Sequence, residues 1–144
     1  MKTPTIYTGL AFLFGVVVSA PAVAAPIPAV LYKNPQCTCC EAYAKYLDQN
    51  GFAVKVIPTD QLDLVTRMAG VPTSLEGCHT MKLGSYVIEG HVPAPMIKQL
   101  LAEHLPITGL AIPGMPSGVP GMPTTPIPVY EIGAAKPVVF GTVN

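Results

Sequence analysis

Residues 29–57 read AVLYKNPQCTCCEAYAKYLDQNGFAVKVI, and the hydrophobic period changes twice within them. Ala29-Val30-Leu31-Tyr32 is a short apolar run that stops before Asn34-Pro35, as a buried strand does. Thr38 with Glu41 three residues later forms a capping box, which predicts a helix opening with Thr38 as N-cap. Tyr43, Ala44 and Leu47 follow on one face at helical spacing, and Asn50-Gly51 stops the helix. From Phe52 to Ile57 the pattern alternates, with Phe52, Val54 and Val56 on one side of a second strand.

Beyond this unit, Thr59 or Asp60 caps a second helix whose apolar face is Leu62, Val65 and Met68, ending at Gly70. His79–Leu83 and Tyr86–Val92 read as a hairpin turning at Gly84-Ser85. Pro95–Leu105 reads as a third helix with Ile97, Leu100, Leu101 and His104 on one face. The order β-α-β-α-β-β-α starts with a parallel crossover and ends with an antiparallel pair, so the expected fold is an α/β, thioredoxin-like domain with a mixed sheet. Residues 107–128 are dominated by Pro and Gly and read as a Pro/Gly/Met-rich loop; residues 129–144 are apolar and strand-like, expected as a short C-terminal hairpin.

The chemistry sits at the junction of the first strand and helix. Cys37-Thr38-Cys39-Cys40 contains both C-x-x-C and C-x-C, and Cys78 follows about forty residues later, where the fold brings the chain back to that junction. Cys39 and Cys40 fall in the first turn of the helix, where unpaired N–H groups and the helix dipole favour thiolate over thiol. Position alone predicts reactivity, not its kind, and three classes stay open. A metal site would use Cys37, Cys39, Cys40 and Cys78 together. A thiol–disulfide oxidoreductase would need only Cys37 and Cys40. Two structural disulfides would need pairings that three cysteines within four residues make awkward. The sequence favours the metal, and clustered thiolates with thioethers nearby favour copper(I) or silver(I) over zinc. Adjacent thiolates also bridge ions, so a polynuclear cluster stands beside a mononuclear site. Whether the chain catalyses a reaction is left open.

Met115 and Met122 lie in PGMPSGVPGMP (113–123), where no helical core periodicity accounts for them, and they are candidate thioether ligands. His79 and His91 are candidate imidazole ligands; His79 reaches the ion bound by Cys78 only if the strand is irregular there. Met68, Met81 and Met96 read as core, and His104 as structural.

The chain begins MKTPTIYTGLAFLFGVVVSAPAVAAPIPA: positive charge, an apolar run from Ile6 to Val18, then Ala22-Val23-Ala24 as an A-x-A cleavage site. Residues 1–24 are thus expected to be a signal peptide and 25–144 one exported domain, with no membrane association after cleavage; the apolar run is short of the about 20 residues a span needs. A formal net charge of +0 leaves no broad basic face, so nucleic acid is not an expected partner.

Taken together, YKNPxCxCC (32–40), NGFxV (50–54), GVP (70–72), CHT (78–80), EGHVP (89–93) and GLAxPGMP (109–116) continuing to PGM (120–122) make the sequence resemble the CopG-type periplasmic copper-resistance proteins. That thioredoxin-like family was long catalogued as a domain of unknown function. Thr38 stands where relatives often have glycine and Val119 where they often have serine; neither removes a sulfur. The resemblance implies a periplasmic location, copper ions as ligand, other periplasmic copper-handling proteins as partners and a role in copper or silver tolerance. It carries the metal-site role onto Cys37, Cys39, Cys40, Cys78, His79, His91, Met115 and Met122.

Overall fold

The computed structural model describes residues 24–113 and 126–143. The expected signal peptide and the methionine loop, with Met115 and Met122, lie outside the described residues apart from Ala24 and the ends of the loop segment.

The elements follow the alternation of periods. Strand β1 (Ile27–Lys33) leads through α1 (Thr38–Gln49) to β2 (Phe52–Pro58), then α2 (Leu62–Met68), a 3-10 turn at Thr73–Leu75, β3 (His79–Leu83), β4 (Tyr86–Glu89), α3 (Ala94–Glu103), β5 (Gly109–Ala111), β6 (Ile127–Ile132) and β7 (Val139–Val143). They form one mixed α/β sheet in the order β2-β1-β3-β4-β5-β6-β7. β1 runs parallel to β2, and β4 parallel to β5; the other neighbours are antiparallel, including the C-terminal pair β6–β7. Gly51, at φ +89°, makes the reversal between α1 and β2.

The register lines up one apolar row across the sheet. Leu31 pairs with Met81, Met81 with Ile88 and Ile88 with Leu110, and all four are fully buried. Tyr43, Ala44 and Leu47 of α1 and Ile97 and Leu100 of α3 belong to the same core. Truncating any of the large members to alanine is expected to cost about 2–5 kcal/mol. A smaller cluster holds Val71, Leu75, Val87, Ala111 and Ile132.

Several local expectations are corrected. The N-cap of α1 is Cys37, not Thr38, and no side chain caps the helix. Glu41 does not close a capping box, because its carboxylate lies 3.1 Å from the Lys33 ammonium. Cys39 and Cys40 still occupy the first turn. α2 starts after Gln61 rather than Thr59 or Asp60. Met68 is not core; it is 77% exposed, and the inward residue of α2 is Thr66. His104 is exposed and left-handed (φ +49°), ending α3 rather than packing on its apolar face. β5 was not foreseen within the Pro/Gly stretch. Its Gly109 passes so close to the Val87 carbonyl that a Cβ would collide with it.

Candidate metal centre

The carboxyl end of β1, the first turn of α1 and the start of β3 converge. Lys33 pairs with His79 in the β1–β3 register, which brings the residues following β1 beside those preceding β3. Four cysteines meet there. Cys37 and Cys40 are joined as a disulfide, with Cα atoms 5.5 Å apart, and Cys39 and Cys78 stay outside that bond. The Cys39 sulfur is 3.2 Å from that of Cys37, and the Cys78 sulfur 3.7 Å from that of Cys40. The arrangement of two structural disulfides is therefore not adopted.

Two histidines complete the cluster. His79 opens β3, and Cys78 precedes it in a bend rather than in the strand, so the two side chains are not forced to opposite faces. Cys78 Sγ lies 3.4 Å from His79 Nδ1 and 3.5 Å from His91 Nε2. Their donor atoms fall into two overlapping groups, each within 4.8 Å: Cys37, Cys39, Cys40 and Cys78, and Cys40, Cys78, His79 and His91. The first is sulfur only and partly open; the second is more buried. Cys40 and Cys78 belong to both.

Burial sets the protonation states. His79 is pushed down to about 3 by burial and by neighbouring His91, and burial lowers His91 as well. Both imidazoles are neutral at neutral pH, the form that ligates metal. Burial raises the Cys78 thiol, and the adjacent Cys39, which also hydrogen-bonds it, raises it further. An incoming soft cation must displace that proton.

Three groups that the sequence did not single out as site residues support the cluster. Tyr43 is buried against both imidazoles, its ring centroid 4.8 Å from each while theirs are 5.1 Å apart, and its hydroxyl donates to the Val92 carbonyl at 2.6 Å. Glu89, fully buried, accepts the Gly77 N–H at 2.7 Å and so fixes the residue before Cys78. Its other oxygen lies 2.7 Å from Thr80 Oγ1, which is 2.7 Å from Thr66 Oγ1, which is 2.9 Å from the Leu62 carbonyl. Thr80 donates to Glu89, and Thr66 donates to the Leu62 carbonyl. Burial, with a smaller push from Glu76, raises Glu89 to about 7 against its two hydrogen bonds. Lys33 is the third, with its ammonium under the Cys37 turn. Tyr43 was legible only as a core position, Lys33 only as part of a family motif, and nothing marked Glu89 as buried.

This arrangement can hold soft cations when reduced and can close a C-x-x-C disulfide when oxidised. No helix among the described residues is long and apolar enough to cross a membrane. A family model described as a protein of unknown function, DUF411, matches residues 75–122, a stretch holding Cys78, His79 and His91. No curated protein matches the chain significantly. Among solved structures, copper resistance protein CopG in its form 2 is 31% identical, with 83% of this chain and 99% of that one covered and a TM-score of 0.75. Its form 1 is 32% identical, with 82% and 98% covered and a TM-score of 0.74. At that identity, and with nearly the whole of the CopG chain spanned, the protein belongs to the CopG family of copper resistance proteins.

Proposed function

We propose that this protein binds copper(I), and silver(I) by the same chemistry, in the periplasm as part of copper resistance. The observation that carries the reading is the pair of overlapping donor groups sharing Cys40 and Cys78. Two-electron reduction of the Cys37–Cys40 disulfide by an external dithiol, which leaves as its own disulfide, frees the all-sulfur group, whose soft donors select a soft monovalent ion. The second group adds two neutral imidazoles. Shared thiolates bridge ions, so more than one copper per chain is the expected loading. Met115 and Met122 are proposed to add thioethers, and copper-handling proteins of the same compartment are the proposed partners.

The disulfide supports a second reading, thiol–disulfide exchange by Cys37 and Cys40. Cys37 is partly exposed while Cys40 is fully buried, the asymmetry an attacking and a resolving thiol require. The test is elemental analysis of protein purified anaerobically from copper-fed cells, with a thiol count on the same sample. Bound copper with four reactive thiols after acid release supports the first reading, and more than one copper per chain supports bridging by the shared thiolates. A metal-free protein with two thiols and an intact disulfide supports the second.

A further inference from the structure

We propose that Lys33 is a positioning residue of the sulfur site, folding the turn that carries Cys37 around its own ammonium group. The side chain is 1% exposed, although it belongs to a residue type seldom buried without partners. Its Nζ lies 3.3 Å from the Asn34 carbonyl, 3.1 Å from that of Pro35 and 3.2 Å from that of Cys37. Three carbonyls of one turn, those of Asn34, Pro35 and Cys37, thus converge on three N–H donors. The Glu41 carboxylate, 64% exposed, is a fourth contact at 3.1 Å.

The consequence falls on Cys37. Its N–H donates to the Asn34 carbonyl at 3.0 Å, and its own carbonyl accepts from Lys33. Both backbone polar groups of Cys37 are therefore held, and the Asn34 side chain fixes the turn again by accepting the Gln36 N–H at 3.0 Å. A cysteine on a free loop would have to be ordered each time its sulfur closed on Cys40 or joined Cys39 around an ion. Here the ordering is built into folding, and the Cys37 sulfur is held 3.2 Å from that of Cys39.

The inference rests on Cys37 belonging to the proposed metal site, but its test needs no metal, so the two fail separately. Metal-free protein is equilibrated with reduced and oxidised glutathione, and the fraction of Cys37–Cys40 disulfide is measured by alkylation and mass spectrometry. Lys33→Met leaves the turn unheld, and the equilibrium is expected to move toward the dithiol by roughly tenfold, about 30 mV for a two-electron couple. A Lys33→Met protein with lowered Tm but an unchanged equilibrium would show that Lys33 serves the fold only, and overturn the proposal. So would a shift toward the disulfide. If Lys33→Met does not fold, Lys33→Gln, whose amide keeps two N–H donors for the three carbonyls, is expected to shift the same way by less. A folded Lys33→Gln with the wild-type equilibrium overturns the proposal. Glu41→Gln leaves three donors for three carbonyls and is expected to change nothing. A shift there as large as that of Lys33→Met would mean charge, not positioning, controls the site.

Discussion

Tyr43 stacks on His91 with ring centroids 4.8 Å apart and planes inclined by 6°, so the helix that carries the cysteines also orients an imidazole. Tyr43→Phe keeps the ring and loses one buried hydrogen bond to Val92, a cost of about 1 kcal/mol. Copper content is expected to stay at the wild-type level. Tyr43→Ala removes the ring packed against both His79 and His91, with an expected loss of about 3–5 kcal/mol and a lowered copper content. Chemical denaturation and metal analysis on the same samples check both. Equal copper in the two variants would show that the stacking does not position the histidines.

Glu89 gives a pH dependence of defined sign. Its folded-state value of about 7 is raised above the ordinary 4.5. Between these values the folded protein holds a proton that the unfolded chain has released, so this group's contribution to stability declines as pH rises through the window and levels off above about 7. Each tenfold difference in proton affinity is worth about 1.4 kcal/mol. His79, lowered to about 3, acts oppositely, removing stability as pH falls below 6.5. Glu89→Gln isolates the first effect, since its amide accepts from Gly77 and donates to Thr80 without titrating. The variant is expected to gain stability relative to wild type as pH rises from 4.5 to 7. A constant difference across that range would mean that Glu89 is ionised throughout.

The β1-α1-β2 unit was legible because its apolar period switches cleanly, and the β3–β4 hairpin because Gly84-Ser85 interrupts alternation. The cysteines and histidines were legible as soft or borderline donors near one strand–helix junction. Other features depended on partners that periodicity does not encode. Met68 has the right spacing for the core, yet α2 turns Thr66 inward to meet the polar Thr80–Glu89 pair, leaving Met68 in solvent. Lys33 looks like the polar end of an apolar strand, but the carbonyls that bury it belong to the turn that follows. Thr38 is the first residue of α1 rather than its cap, and Glu41, the other half of the expected capping box, pairs with Lys33 instead. β5 is three residues long, and only its pairing with β4 and β6 makes it a strand.

Export is a separate expectation. The mature N-terminus should be Ala25 or Pro26, read by mass spectrometry of the protein recovered from its native compartment. An intact Met1 in the membrane fraction would contradict the signal-peptide reading.

The most direct test of copper binding by the cysteine cluster is the copper content and thiol exchange of Cys39→Ser. Cys37 and Cys40 remain able to form their disulfide in this variant, so disulfide exchange alone would survive it. The all-sulfur donor group loses one of its four members, and a hydroxyl is a poor ligand for a soft ion. The account predicts sharply lower copper per chain and loss of protection of cells against copper, with exchange by Cys37 and Cys40 retained. Wild-type copper content in Cys39→Ser, together with loss of disulfide exchange in Cys37→Ser, would contradict it and leave a thiol–disulfide oxidoreductase in its place.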